Sequence, residues 1–374
     1  GISPSQIRTT IDLVKVPITR KEEFLKRQRA DPPFGGFFEL PIGRLKRIFM
    51  SPGPMYVSSE VYVPMFVKIL GRGGIGPGDR VSVTFGYHLG PLGIVIDRAA
   101  EELGATVINA GVGNTALQVQ LMRELKVNVF LGTPSFLMTL IRTAEQQGYN
   151  FCRDFELRRA YLSAEPLPRS LRKAFEEDYG IDTFQSYGMN EVGMTHYECS
   201  AKLGMHFDED TITELVDPKT GKHVQPGEPG ELVMTPLKGP FPLLRYGSGD
   251  ISAYTEEPCP CGRTSKRVLW VMGRVGDVVK VRGEFVAARQ VDEVVAQFSA
   301  IAKAQLVVDR VGHRDEMTIR VELKEEIADK ANLLDNLHKG IQDICRVRAD
   351  KIEFVAKGTI PQEYRKVVDR RTWE

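Results

Sequence analysis

The sequence predicts an α/β protein with a large N-terminal domain of mainly parallel sheets, a small β subdomain, and a small α+β C-terminal domain. Three textures carry that expectation. Short β-branched runs alternate with helical runs from about residue 80 to 188, turn-punctuated strands follow from 211, and a mixed pattern begins after 277. Strands spaced by helices cannot pair as hairpins, so they are expected to lie parallel in a sheet covered on both faces, with ligands near the strands' carboxyl ends.

In order, "RVSVTFG", "ATVINAG", "VNVFLGT", "RRAYLSAE" and "IDTFQSYG" read as strands. Between them "LGIVIDRAAEEL", "TALQVQLMREL", "PSFLMTLIRTAEQQ" and "PRSLRKAFEEDY" have helical periodicity. From 211, "ITELVDPKTGK", "PGEPGELVMTPL" and "LLRYGSGDISAY" carry the turn signals of hairpins. After "GRVGD", a strand "VVKVRGEFV" leads to a helix "AARQVDEVVAQF", strands "AQLVVDR" and "EMTIRVEL", a helix "DKANLLDNLHKGIQDICRVR" and a last strand "KIEFVAK". The expected domains are 1–273, with the β-rich part about 205–273, and 277–374.

With 374 residues, two hydrophobic cores are the natural expectation. Lys plus Arg (50) and Asp plus Glu (49) nearly cancel, so no field argues for nucleic acid or an anionic membrane surface, and the expected partner is a small molecule. No apolar run approaches the roughly 18 residues of a membrane span. Five cysteines, two of them in Cys259-Pro260-Cys261, and a start without a cleavable leader argue against a disulfide scaffold and secretion. The reading is cytoplasmic, and the start "GISPSQIRTT" without Met suggests truncation. Cys199, His206, Cys259 and Cys261 form a set suited to tetrahedral, structural Zn²⁺, provided their two strand-rich segments are neighbours. Reduced cysteines in a turn and a surface His are the other reading. His196 is a weaker candidate, nearer Glu191.

"SYGMNEVG" (186–193) places Tyr187, Gly188 and Glu191 at one strand end. The Glu191 carboxylate suits Mg²⁺ with a polyphosphate, or caps the next helix. Asp250, closing "LLRYGSGD", could accept from two ribose hydroxyls, and "GRVGDVVKVRGE" (273–284) follows. That ordered trio, with "DPPFGGF", "GPGDRVSVTFGYHLGPLG", "LGTPSFLMTLI", "YLSAEPLPRSLRKAFEEDYGI", "CSAKLGMHFDED" and "CPCGRT", resembles the phenylacetate–CoA ligase branch of the adenylate-forming enzymes over nearly the whole chain.

The resemblance implies roles by matching position. Ser163, Ala164, Glu165 and Pro166 would line adenine, and Tyr187, beside Gly188, would stack on it. Glu191 would serve Mg²⁺ and phosphate, and Asp250 the ribose. Arg274 would be a second ribose-side contact, and Lys280, in the same segment, a further cofactor contact. The acyl pocket would be Tyr87, His88, Gly111, Thr133, Pro134 and Ser135. A carboxylate attacks the α-phosphate of ATP, pyrophosphate leaves, and the thiol of coenzyme A opens the acyl adenylate to a thioester. Positioning and cations supply most of such a rate, with no protein nucleophile. The C-terminal domain would act as a mobile lid hinged near Gly276, where glycine stands in place of the family's Asp.

Two segments depart from the family. At "RIFMSPGPMYVSSE" (47–60) the family has a Ser/Thr/Gly-rich phosphate loop ending in Lys; here only Ser51 and Gly53 fit, Pro52 and Pro54 remove N–H donors, Met55 and Tyr56 add bulk, and no Lys follows. The last motif, "GTIPQEYRKVVDRR", is about three residues shorter than the family's. Counting from Pro361 puts Lys366 in the catalytic slot, counting back from Asp369 puts Glu363 there, and Arg365 is another cation nearby. Two readings follow. One is an ATP-dependent ligase joining an aryl or arylacetic acid to coenzyme A, with Mg²⁺ and structural Zn²⁺. The other is a relative that binds AMP, an acyl adenylate or an acyl-CoA without forming the adenylate. A dinucleotide dehydrogenase is discounted because no G-x-G-x-x-G follows the first strand. A homodimer stays open.

Overall fold

A computed structural model describes residues 2–38, 41–51, 55–58, 62–239, 241–282, 284–311, 314–325, 327 and 329–371. Two compact units emerge: residues 1–228, 232–248 and 253–270 form the first, and 229–231, 249–252 and 271–374 the second.

The first unit opens with α1 (Lys21–Ala30), the short strands β1 (Phe49–Ser51) and β2 (Met55–Val57), and α2 (Val63–Arg72). Then the βα alternation appears as expected: β3 (Arg80–Val83), α3 (Leu92–Glu102), β4 (Thr106–Ile108), α4 (Thr115–Glu124), β5 (Val129–Gly132), α5 (Pro134–Gln146), α6 (Phe151–Asp154), β6 (Arg159–Leu162), α7 (Arg169–Lys173) and β7 (Asp182–Met189). The spatial order β4-β3-β5-β6-β7 is parallel throughout. Period-2 alternation splits these strands between two cores. Val81, Val83, Val129 and Leu131 pack with α2 and α3, whereas Phe130, Ala160 and Leu162 pack with α4 and α5. Because the strands are buried on both faces, their ends are fixed by packing, and the loops leaving those ends can carry chemistry.

Strand β7 is the turning point of the sheet. It is parallel to β6 on one side and antiparallel to β8 (Gly193–Glu198) on the other. The sheet continues through β9 (Met205–Phe207), with β10 (Thr211–Val216), β11 (Gly230–Pro236), β12 (Tyr246–Thr255) and β13 (Arg267–Arg274) completing eleven strands in the order β10-β11-β12-β13-β9-β8-β7-β6-β5-β3-β4. The β-rich part is therefore an extension of the parallel sheet.

Within the second unit, β14 (Val278–Val281) and β15 (Glu284–Ala287) precede α8 (Ala288–Val295). Then come β16 (Ile301–Val311), β17 (Arg314–Leu323), α9 (Lys330–Cys345), β18 (Lys351–Val355) and β19 (Val367–Asp369), with a sheet order β18-β17-β16-β19. Leu306, Val308, Ile319 and Val321 form its core with Val291, Leu337 and Ile341 of the helices. Two expectations need correction. "VVKVRGEFV" is not one strand but an antiparallel pair, Val278↔Ala287 to Val281↔Glu284, with Arg282 at φ +50°, the sign a two-residue hairpin turn requires. "KIEFVAK" is not the last strand: three residues, Val367–Asp369, add β19 parallel to β16, too short a run for periodicity to reveal.

Candidate active site and Cys/His cluster

Four loops that leave the parallel strands carry the expected acyl and adenine residues. After β3 comes Tyr87, whose hydroxyl is buried near Asp97 of α3 and Asn109; burial pushes both Tyr87 and Asp97 up. Gly111, after β4, lies against the Tyr87 ring. His88 is exposed, unlike Tyr87 beside it. At the end of β5, Thr133 caps α5 by accepting from the Phe136 N–H at 3.3 Å, with Pro134 in the first helical turn, where its missing N–H costs nothing. Ser135 follows, and its N–H donates to Glu165 at 3.4 Å, so the loops after β5 and β6 touch. After β6, the Ser163 hydroxyl donates to the Ser186 carbonyl at 3.1 Å, tying that segment to β7. Ala164 holds φ +68°, a left-handed conformation that non-glycine residues adopt at a cost, and Ala164, Glu165 and Pro166 are exposed.

The end of β7 is the most constrained point. Its ladder with β8 shifts register between Tyr187 and Gly188, and a Cβ on Gly188 would come within 2.3 Å of the Gly193 carbonyl oxygen. Only glycine lets the two strands approach there. The turn that follows presents Glu191, 2% exposed. Ser51 of β1 donates to its Oε1 at 2.9 Å, and the Lys21 ammonium lies 3.0 Å from the same oxygen. Tyr62 donates to the Glu191 carbonyl at 2.6 Å; burial, then the nearby carboxylate, push its hydroxyl up. Glu191 is thus paired with a cation and a hydroxyl and does not cap a helix.

Lys21 and Tyr62 went unnoticed in the sequence, because nothing in "TRKEEF" or "VYVPMF" links them to a turn so far along the chain. Ser51 is placed at Glu191, whereas Pro52, Gly53 and Pro54 lie outside the described residues. His196, opposite Tyr187 in the ladder, is fully buried, bonded through Nδ1 to the Thr195 hydroxyl at 2.8 Å and held down to about 3 by burial. It is a neutral core imidazole.

Asp250 and Arg274 fall in the second unit, where the guanidinium lies 3.5 Å from the carboxylate. Gly276 has φ +93°, a value that suits glycine. Lys366 pairs with Asp292 of α8, and its carbonyl accepts from Leu306 N–H at 2.8 Å as β19 begins. Glu363 is exposed, and the side chain of Lys280 lies outside the described residues.

The condition set for the cysteines is met, because β9 lies between β8 and β13 in the sheet. The ligand atoms of Cys199, His206, Cys259 and Cys261 all lie within 4.8 Å of one another. Cys199 and Cys259 sulfurs are 3.7 Å apart, and Cys261 Sγ is 3.4 Å from His206 Nε2. Four ligands arranged tetrahedrally at Zn–S distances of about 2.3 Å place sulfurs roughly 3.8 Å apart, close to the Cys199–Cys259 separation. The Ser265 hydroxyl meets His206 Nδ1 at 3.0 Å, orienting the ring. Burial pushes Cys199 up to about 11, whereas at Cys261 the burial effect is outweighed by hydrogen bonds from Arg263, which bring it down to about 7.

Residues 99–244 match the AMP-binding enzyme family, and residues 284–371 match the AMP-binding enzyme C-terminal domain. A phenylacetate-coenzyme A ligase of Thermus thermophilus is 32% identical over 340 residues, covering 87% of this chain and 75% of the relative. Another from Escherichia coli K12 is 30% identical over 382 residues, covering 97% and 85%. Among solved structures, 2-hydroxyisobutyryl-CoA ligase, in an open conformation with 2-HIB-AMP and CoA, is similar at a TM-score of 0.83 and 28% identity, covering 98% of this chain and 85% of that one. Among the described residues, no helix is long and apolar enough to cross a membrane.

Proposed function

Because the chain belongs to the phenylacetate–coenzyme A ligase family of AMP-binding enzymes, we propose that it joins an aryl or arylacetic acid to coenzyme A through an acyl adenylate, at the expense of ATP. The observation that carries this reading is the buried Glu191 carboxylate at the end of β7, beside Tyr187, with Lys21 and Ser51 gathered on one of its oxygens. A single carboxylate completed by phosphate oxygens and water is how Mg²⁺ is commonly held. When bound, Mg²⁺ neutralises charge developing on the phosphates.

The chain's own residues do the rest. Tyr187 offers a ring face to adenine, and Ser163 to Pro166 form its edge. Asp250 takes the ribose hydroxyls with Arg274 beside it, and Lys280 adds a cofactor contact. Tyr87, His88, Gly111, Thr133, Pro134 and Ser135 orient the acid, so that a carboxylate oxygen bonds to the α-phosphorus while the bond to pyrophosphate breaks. Lys366 is the cation assigned to the α-phosphate; it would exchange its Asp292 partner for that phosphate. In the second half-reaction the coenzyme A sulfur bonds to the acyl carbon and AMP leaves, with Gly276 as the hinge for the lid.

The Cys/His cluster is assigned structural Zn²⁺, supported by the ligand spacing and by three thiols beside one imidazole. Reduced thiol ligands suit a cytoplasmic setting. A non-adenylating binder remains the second reading, favoured by a phosphate segment without lysine; Lys21 beside Glu191 weighs against it. Pyrophosphate exchange over a panel of acids separates them. Exchange that requires an aryl acid supports the ligase, and AMP binding with no exchange for any acid overturns it.

A further inference from the structure

The β1–β2 pair occupies the place of the phosphate segment, and the grip on it comes from outside. Gln28 of α1 is 3% exposed and uses both ends of its amide on one residue of β2. Its Nε2 donates to the Tyr56 carbonyl at 2.8 Å, and its Oε1 accepts from the Tyr56 N–H at 2.9 Å. Two bonds to one backbone residue fix its orientation as well as its position, and they require a side chain carrying donor and acceptor together. Tyr56 as a whole is 43% exposed, and both bonds from Gln28 go to its backbone.

The same helix reaches the carboxylate. Lys21 stands seven residues before Gln28, two turns along the same face, and lies 3.0 Å from Glu191 Oε1. Ser51, paired with Met55 across the two short strands, donates to that same oxygen. A slip of β2 against α1 would therefore carry Ser51 away from Glu191. One helix face ties the hairpin and the carboxylate into a single frame.

We propose that Gln28 is a positioning residue for the triphosphate: it holds β1–β2 in register with Glu191, replacing by restraint part of what the segment's own sequence lacks in charge. The inference rests on the adenylation reading and deepens it. Gln28 touches no substrate; it acts through the Tyr56 backbone and Ser51.

The test measures equilibrium binding of α,β-methylene-ATP with Mg²⁺, and separately of AMP, to the full chain and to Gln28→Met, which keeps volume and removes both bonds. The expected result is a loss of tenfold or more in affinity for the ATP analogue, with AMP affinity within twofold of wild type. Equal losses for both ligands would reduce Gln28 to a general stabiliser, and no loss for either would remove its role; each result overturns the proposal. Should Gln28→Met not fold, Gln28→Asn, which keeps the amide but cannot span both groups, gives the same comparison. Wild-type protein that binds neither ligand would overturn the adenosine reading itself, an outcome distinct from a wild type that binds both while the variant matches it.

Discussion

Two polar centres of the first unit are built in opposite ways. At the Cys/His cluster, three sulfurs and one imidazole converge from adjacent segments of an antiparallel region, and four ligands leave a zinc ion no position open. Around Glu191 the arrangement is one-sided: Lys21 and Ser51 both approach Oε1, from α1 and β1. The difference teaches what each centre can do. A closed set of four ligands would hold strands together, whereas a buried carboxylate with one cation and one hydroxyl gathered on a single oxygen would have its other oxygen to offer an arriving partner.

That contrast is breakable. The largest expected effect is at Glu191: Glu191→Gln should lower acid-dependent pyrophosphate exchange by about 10²–10³-fold, as loss of a preorganised electrostatic group does, while the thermal midpoint moves little. An unchanged exchange rate would make the carboxylate structural. Next, Cys259→Ser with Cys261→Ser should take zinc from about one equivalent per chain to near none by elemental analysis. The midpoint should then fall by roughly 5–10 °C, equivalent to about 2–3 kcal/mol for a domain of this size. Wild-type protein that is folded and metal-free would end the zinc assignment.

A smaller effect is expected at Lys21. Lys21→Met leaves Glu191 buried without its cation and should raise KM for ATP about tenfold with a lesser change in kcat; a change confined to KM for the acid would contradict the assignment. The last is absent at neutral pH and concerns His196, whose folded pKa is depressed to about 3 by burial. Its contribution to stability is complete above the unfolded value near 6.5 and is lost as pH falls toward 3, because the unfolded chain then binds the extra proton. The slope in that window is at most about 1.4 kcal/mol per pH unit, and His196→Phe should flatten it in denaturant titrations.

Much of this was legible in the sequence, for identifiable reasons. Strands β3 to β7 were legible because helices separate them; the cap at Thr133 came only from the structure, since the sequence reading gave that residue to the acyl pocket. The short β8 and β9 were not, since their residues read as motif rather than as alternation, and β14–β15 hid a turn inside a continuous β-branched run. In the site, the cysteines stood out because a thiol has few uses on a surface, and Glu191 because it follows a strand, an aromatic and a glycine. Lys21 and Gln28 were invisible: in "KEEFLKRQRA" most residues are charged, so the helix reads as a solvated face, and only the fold reveals that Gln28 is buried with Phe24 and that Lys21 reaches Glu191.

The most direct test is a single turnover with the protein in excess over ATP and phenylacetate, with Mg²⁺ and without coenzyme A, quenched and separated by chromatography. Phenylacetyl-AMP in step with pyrophosphate, converted to thioester when coenzyme A is added, is the expected result. Bound AMP or ATP with no adenylate from phenylacetate or any related aryl acid would contradict the account.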